Sequence, residues 1–262
     1  MKTKVLITSG GTKAPIDPVR DITNMSKGTF GAKLAKEFLN QDHEVEFFSS
    51  VDGKTPFSIS ADVRHWNSND IIKHVIELAE FSELHESKYI KTDFRNYNDY
   101  ANGLKRLIKD ADERFGSFDM IILAAAVSDY IPKKVSNEKI KSGENLTIEL
   151  KPAEKIISKV KEWSPNSCLV GFKLLVGATD DQLFEASVQS IKTNKCDFVI
   201  ANDLEKLRSG NHELMLVGSH ASEIVRSSTS DSNGPKILRK YKSDEVHTLV
   251  HDLVKYCEES KS

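Results

Sequence analysis

Short apolar runs alternate along this chain with longer stretches whose apolar residues recur every three or four positions. Residues 4–8, KVLIT, form the first run, rich in β-branched residues and closed by Gly10 and Gly11. A run of this kind reads as a buried parallel strand. Residues 31–43 place Leu34, Ala35 and Phe38 at helical spacing and end in polar residues, and residues 44–50, EVEFFSS, read as a second strand. The opening is therefore strand, loop, helix, strand, the first unit of a doubly wound sheet.

The alternation continues. Residues 97–116 read as a helix, and residues 117–130 hold the most apolar strand candidate of the chain. Two further buried strands, 167–173 and 197–203, flank a helix over 180–194 whose first turn is acidic, as the helix dipole favours. This predicts an α/β fold, a doubly wound and mostly parallel Rossmann-like sheet with helices on both faces. Residues 68–88 read as a helix with a charged tail, a surface excursion. Residues 131–150, Lys-rich and then alternating, read as a β flap or hairpin outside the main sheet. The C-terminal third reads as short strands around a Ser-rich loop, followed by a last helix over about 243–259. Nothing in the pattern marks a repeat or a linker, so residues 1–262 read as a single domain.

Composition narrows the function classes. With 39% hydrophobic and 29% charged residues, the chain has a normal balance for a soluble protein with a substantial core. Its net charge of −2 provides no basic field for nucleic acid. No apolar run reaches the length of a membrane span, and the N-terminal run is too short for a signal-peptide core. Cys168, Cys196 and Cys257 are odd in number, far apart and without a CxxC spacing, so they read as reduced thiols of a cytoplasmic protein.

The chemistry concentrates in the loops. A long glycine-containing turn after the first strand is a natural anion site, because bare backbone N–H groups there adjoin the positive end of the next helix. Here the turn is SGGTKAPID, neither a GxGxxG nor a Walker sequence. It continues through Arg20 and Asn24 into NMSKGTFG, where Ser26, Gly28 and Gly31 make a small-residue stretch at a helix start. Tyr130 and Lys134 have the spacing of a short-chain dehydrogenase pair, but Pro132 between them breaks the helix that pair requires. Lys139 and Lys141 flank one apolar residue and point the same way in an extended segment, a disposition suited to a polyphosphate. The run ELHES, 83–87, lacks a third nearby ligand and reads as no metal site.

Taken in order, ITSGGT, DPVRDITNMSKGTFG, AAAVSDYIP, EKIKSGENLTIELKPAEKI, VGFKLL and IANDL resemble the phosphopantothenoylcysteine synthetase family, over most of residues 4–217. The resemblance implies a nucleotide-dependent ligase of coenzyme A biosynthesis, free-standing rather than fused to a flavin-dependent decarboxylase. In that family 4′-phosphopantothenate is activated by a nucleoside triphosphate as an acyl-nucleotide, and L-cysteine then displaces the nucleotide monophosphate. Carried over residue by residue, Gly11, Ser26, Gly28 and Gly31 look like the triphosphate cradle. Asn24 looks like the asparagine that holds the phosphopantothenate and its acyl-nucleotide, and Ala125, Ala126 and Asp129 like a ligand-contacting turn. Lys139 looks like the flap lysine that closes over the site, and Phe172 and Asn202 like neighbours of the nucleobase. Arg20 looks like the arginine that reaches the neighbouring subunit's substrate phosphate, which implies a homodimer. Mg²⁺ is implied with the nucleotide. Lys27, Ser142 and Lys173 depart from the usual family pattern. Lys173 leaves the choice between CTP and ATP open, with CTP favoured. The rival readings are a nicotinamide-dependent reductase on the same sheet and a non-catalytic regulatory relative.

Overall fold

A computed structural model describes residues 2–58, 66–143, 145–210, 213–218, 234–242 and 244–260. Its centre is an eight-stranded sheet built from β1 (Lys4–Ser9), β4 (Glu44–Ser50), β5 (Tyr89–Phe94), β6 (Met120–Leu123), β9 (Cys168–Leu175), β10 (Phe198–Asp203), β11 (Leu214–Gly218) and β12 (Lys236–Tyr241). The strand order is β12-β11-β10-β9-β6-β1-β4-β5. All pairs from β10 to β5 are parallel, and β11 and β12 add an antiparallel edge. The mostly parallel, doubly wound architecture matches the reading from sequence.

Strand pleating sends alternate residues to opposite faces, and both faces are covered. Val5 and Ile7 of β1 join one core with α1 (Thr29–Asn40) and α7 (Val246–Glu259). Leu6 joins the other, with α3 (Tyr97–Phe115), α4 (Ile157–Trp163) and α5 (Asp180–Asn194). This burial on both sides explains why the central strands read as continuous apolar runs rather than alternating ones.

Two small hairpins stand outside the main sheet: β2 (Lys13–Asp17) with β3 (Arg20–Thr23), and β7 (Tyr130–Pro132) with β8 (Leu150–Pro152). The second is the base of the flap expected at 131–150. Tyr130 lies on an extended strand and is exposed, so it cannot stack one helical turn from Lys134.

Two readings change. The segment at 68–88 is not an excursion. Its helix α2 (Ser68–His85) is the crossover from β4 to β5, an edge strand that the sequence pattern does not reveal because only Phe94 of it is buried. α2 turns His85 inward and leaves Ile71, Ile72, Val75 and Ile76 exposed. A short helix, α6 (Leu204–Arg208), follows β10 directly.

The cysteines are the second change. Cys168 and Cys257 are joined in a disulfide, although 89 residues separate them, and only Cys196 is free. The C-terminal helix α7 folds back onto the sheet and brings Cys257 over β9, a proximity that spacing along the chain cannot reveal. The thiol argument for a reducing compartment falls with it. Among the described residues, no helix is long and apolar enough to cross a membrane. The Ser-rich segment of the C-terminal third, at 219–233, lies outside the described residues.

Candidate active site

From β1 the chain runs outward through β4 to β5, then returns to the other side of β1 as β6 and continues to β9 and β10. The carboxyl ends of β1 and β6 therefore bound a crevice at the point where the winding reverses, the usual ligand position in an open α/β sheet. The loops that carry most of the sequence-derived site residues meet there.

The first loop leaves β1 through Gly10, at φ 84°, where an added Cβ would stand 2.0 Å from Ser50 Oγ. It is stitched to the loop after β6. Ala126 N–H donates to Gly10 O at 2.7 Å, and Thr12 N–H donates to Ala126 O at 3.2 Å. Gly11 and Ala126 thus lie side by side in a parallel bridge. Thr12 Oγ1 accepts from Ser128 N–H at 2.9 Å and shares a second bond with Ser128 Oγ, also at 2.9 Å.

The second loop returns from the β2–β3 hairpin to the same place. Asn24 Nδ2 donates to Ala126 O at 3.1 Å, and Ser26 N–H turns back to Asn24 O at 2.8 Å. Ser9 Oγ donates to Gly28 O at 3.0 Å. Gly28 sits at φ 70°, where a Cβ would stand 2.7 Å from Ser9 Oγ and 2.9 Å from Gly10 N. A Cβ on Gly31 would stand 2.4 Å from Ser9 Oγ. Both glycines are buried, so they let the start of α1 pack against the Gly10 turn. Asn24, Ser26 and Lys27 are accessible polar groups of this loop.

That packing matters because of how α1 begins. α2, α3 and α5 each open with a capping box, from Asn67, Asn96 and Thr179. α1 opens at Gly28 with no side-chain cap and no acidic residue in its first turn. Its first N–H groups lack intrahelical partners and carry the positive end of the helix dipole, a disposition that favours an anion.

Beside the crevice is a pocket of about 150 Å³ that brings together Ala125, Asp129 and Phe172 with Tyr100, Glu154 and Lys155. Phe172 projects from β9 and meets Phe30 of α1 edge-on, with ring centroids 5.5 Å apart. Asp129 pairs with Lys155. Tyr100 closes the pocket floor, its hydroxyl bonded to Thr8 Oγ1 at 3.3 Å, and burial pushes its pKa up to about 12. Asn202 lies half-buried near the end of β10, in register with Leu174 and one position beyond the Ala201–Lys173 pair. The next residue, Asp203, is buried. The N–H groups of Ala178 and Lys206, helped by that of Glu205, hold its carboxyl below the usual range despite its burial.

Arg20 and Lys139 lie elsewhere, at the tip of the β2–β3 hairpin. Arg20 Nη1 contacts Asp17 Oδ2 at 2.5 Å and Ile140 O at 3.2 Å. Lys139 is exposed and forms no hydrogen bond or ion pair among the described residues. Asp17, Thr12, Ser128, Lys155 and Asp203 hold these loops and had not been singled out from sequence. Asp17 and Asp203 are the last residues of β2 and β10, where a carboxylate is a signal of loop capping.

A sheet with its crevice at the winding reversal and an uncapped helix start beside it defines an α/β protein with a candidate anion site. The family described as the DNA/pantothenate metabolism flavoprotein C-terminal domain matches residues 1–84 and 100–243, and the chain belongs to that family. It is 34% identical over 215 residues to the coenzyme A biosynthesis bifunctional protein CoaBC of Thermococcus kodakarensis, a match covering 82% of this chain and 45% of that protein. It is 31% identical over 232 residues to human phosphopantothenate–cysteine ligase, covering 78% of this chain and 73% of the human one. In fold it is similar to a Cab2 variant solved in complex with phosphopantothenate-cysteine, with a TM-score of 0.73, 22% identity, and 98% and 87% of the two chains covered. The chain spans about half the length of the bifunctional relatives it matches.

Proposed function

We propose that this chain is a phosphopantothenate–cysteine ligase that works through an acyl-nucleotide. The observation that carries the reading is the convergence of Asn24, Ala126 and the uncapped start of α1 on one crevice. An anion cradle there adjoins an amide side chain and a pocket, and the curated relatives with ligase names support the substrates. A carboxylate is a poor acylating agent at neutral pH. Transfer of the nucleotidyl group to its oxygen, with the bond to pyrophosphate breaking, supplies a leaving group. The cysteine amine then attacks the acyl carbon, the bond to the nucleotide breaks, and the amine proton passes to solvent.

The protein's task in such a reaction is to position the reactants and offset developing charge. The first N–H groups of α1, the Gly11 turn and Ser26 would hold the triphosphate. Asn24 would orient the carboxylate and its acyl-nucleotide, in contact with Ala125, Ala126 and Asp129. Phe172 and Asn202 would adjoin the base, and Lys139 would offset charge as pyrophosphate leaves. The donors around Gly11 are N–H and hydroxyl groups, an anion-binding set. Mg²⁺ accordingly enters with the triphosphate as part of that co-substrate. We favour CTP over ATP. Arg20 lies four residues from Asn24, about 13 Å along an extended strand. This separation supports a homodimer in which Arg20 meets the substrate phosphate bound to the partner.

Product formation tests the proposal. With phosphopantothenate, cysteine, Mg²⁺ and CTP or ATP, one pyrophosphate and one phosphopantothenoylcysteine are expected per turnover. Absence of both products with either nucleotide would overturn it.

A further inference from the structure

The tip of the β2–β3 hairpin is organised around Asp17, whose side chain has no exposed surface. Its Oδ1 accepts from Val19 N–H at 2.9 Å, closing the hairpin turn. Its Oδ2 accepts from Arg20 Nη1 at 2.5 Å and from Ile140 N–H at 3.1 Å. Arg20 Nη1 also donates to Ile140 O at 3.2 Å, so both main-chain groups of Ile140 are engaged. One further bond, Ser136 N–H to Ile16 O at 2.9 Å, lies alongside. Burial alone would raise the Asp17 carboxyl, but Val19 N–H, Ile140 N–H and the Arg20 guanidinium outweigh it and hold it below the usual carboxylate range.

Ile140 is the residue between Lys139 and Lys141. Its half-buried side chain lines the space of about 380 Å³ between the flap and Ile16 of β2, while both lysines remain exposed. The clasp holds the main chain of the residue between the two lysines and leaves both lysine side chains in solvent. The clasp therefore fixes where both ammonium groups stand, at no cost to their freedom to pair with a ligand. Like charges two residues apart repel, and a bare Lys-rich segment would lose backbone and side-chain entropy on ordering. Two charge-assisted or main-chain bonds through one buried carboxylate offset that cost.

We propose that Asp17 is a positioning residue that locks Arg20 and the Lys139–Lys141 segment into one unit, so that the two basic elements are placed together against an anionic substrate. The mechanistic role rests on the ligase reading; the lock itself does not. Any movement of Arg20 toward a phosphate must then carry or release Ile140, and with it the flap lysines.

The experiment compares the full chain with Asp17→Asn and Arg20→Gln, following amide exchange at Ile140 and tryptic cleavage after Lys139 and Lys141. Asp17→Asn keeps the side chain's shape but removes the charge and one of its acceptors. Exchange and cleavage are expected to rise about tenfold or more in Asp17→Asn, and by a smaller factor in Arg20→Gln. Exchange in β1 and α1 is expected to stay at the wild-type rate. In the ligase assay, Asp17→Asn is expected to lower kcat about tenfold with nucleotide KM within about twofold, since the Gly11 turn is untouched. Unchanged exchange at Ile140 would overturn the proposal. So would a uniform rise across β1 and α1, because it would mark Asp17 as a general stability residue. An inactive wild-type chain would overturn the ligase reading while the exchange comparison still decided the lock.

Discussion

Asn24 and Ala126 lie 102 residues apart and are joined by one hydrogen bond, from the Asn24 amide to the carbonyl that also receives Thr12 N–H. That bond attaches the end of a solvent-exposed hairpin to the loop of an inner strand. It leaves the second Nδ2–H of Asn24 available as a donor. Asn24→Ala is expected to lower kcat/KM by about 10²-fold or more, the scale of losing one preorganised donor, while stability changes by less than about 1 kcal/mol because the side chain is exposed. Steady-state kinetics and thermal unfolding together check it.

The dimer proposal gives that variant a second use. Arg20→Ala and Asn24→Ala chains, each inactive, are expected to recover activity when mixed and allowed to exchange subunits. Each heterodimer would have one intact site and one site with both defects, so random pairing restores about a quarter of wild-type activity. A mixture that stays inactive would place Arg20 and Asn24 in the same site.

Gly28 separates backbone strain from close packing. Gly28→Ala places a Cβ against Ser9 Oγ and Gly10 N at a positive φ, whereas Gly116, also at positive φ, has nothing within 4 Å of an added Cβ. Gly116→Ala is expected to cost about 1 kcal/mol with normal turnover. Gly28→Ala is expected to cost about 2–3 kcal/mol and to weaken nucleotide binding, because α1 must move away from the Gly10 turn. Equal losses in the two variants, measured by denaturant unfolding and nucleotide titration, would show that only the φ value matters.

Lys139→Gln is expected to slow acyl-nucleotide formation about 10²-fold, with a modest change in nucleotide affinity because the α1 start and Gly11 turn remain. Lys141→Gln is expected to cost less. Single-turnover kinetics distinguish them, and normal turnover by Lys139→Gln would reduce that lysine to a solvated surface charge.

The parallel core was legible because β1, β4, β6, β9 and β10 are buried on both faces and so read as continuous apolar runs. β5 was not: as an edge strand it alternates with Lys91 and Asp93, and its burial depends on a crossover helix whose first half is apolar on its exposed side. The positions of Gly11, Asn24 and Ala126 were legible as a motif. The separation of Arg20 and Lys139 from them was not, since it depends on Asp17 binding a main-chain group 123 residues away. The close packing of Gly28 and Gly31 against Ser9 was not legible either, since it depends on how the start of α1 meets the end of β1. The Cys168–Cys257 bridge depends on where α7 packs, which no local pattern encodes.

His43 gives the fold a pH dependence. It is buried, and its Nδ1 accepts from Thr3 N–H at 3.1 Å, so the folded state needs that nitrogen unprotonated. Burial, helped by the N-terminal charge, lowers its pKa from the ordinary 6.5. The unfolded chain therefore binds the proton first as pH falls. Stability contributed by His43 is complete above pH 6.5 and declines as pH drops from there through the lower folded value. The unfolding midpoint is expected to fall between pH 7.5 and 5.5, and the fall should shrink in His43→Asn, which keeps an acceptor without titrating. Identical pH profiles for the two proteins would contradict this.

The central claim is activation before amide formation, and omitting cysteine tests it most directly. With stoichiometric phosphopantothenate, Mg²⁺ and CTP, and in parallel ATP, but no cysteine, one nucleotide should yield one pyrophosphate per site and a phosphopantothenoyl-nucleotide detectable by mass spectrometry after rapid quenching. Adding cysteine should then discharge that species to product and nucleotide monophosphate. Pyrophosphate release that begins only when cysteine is present, with no acyl-nucleotide at any time, would contradict the mechanism.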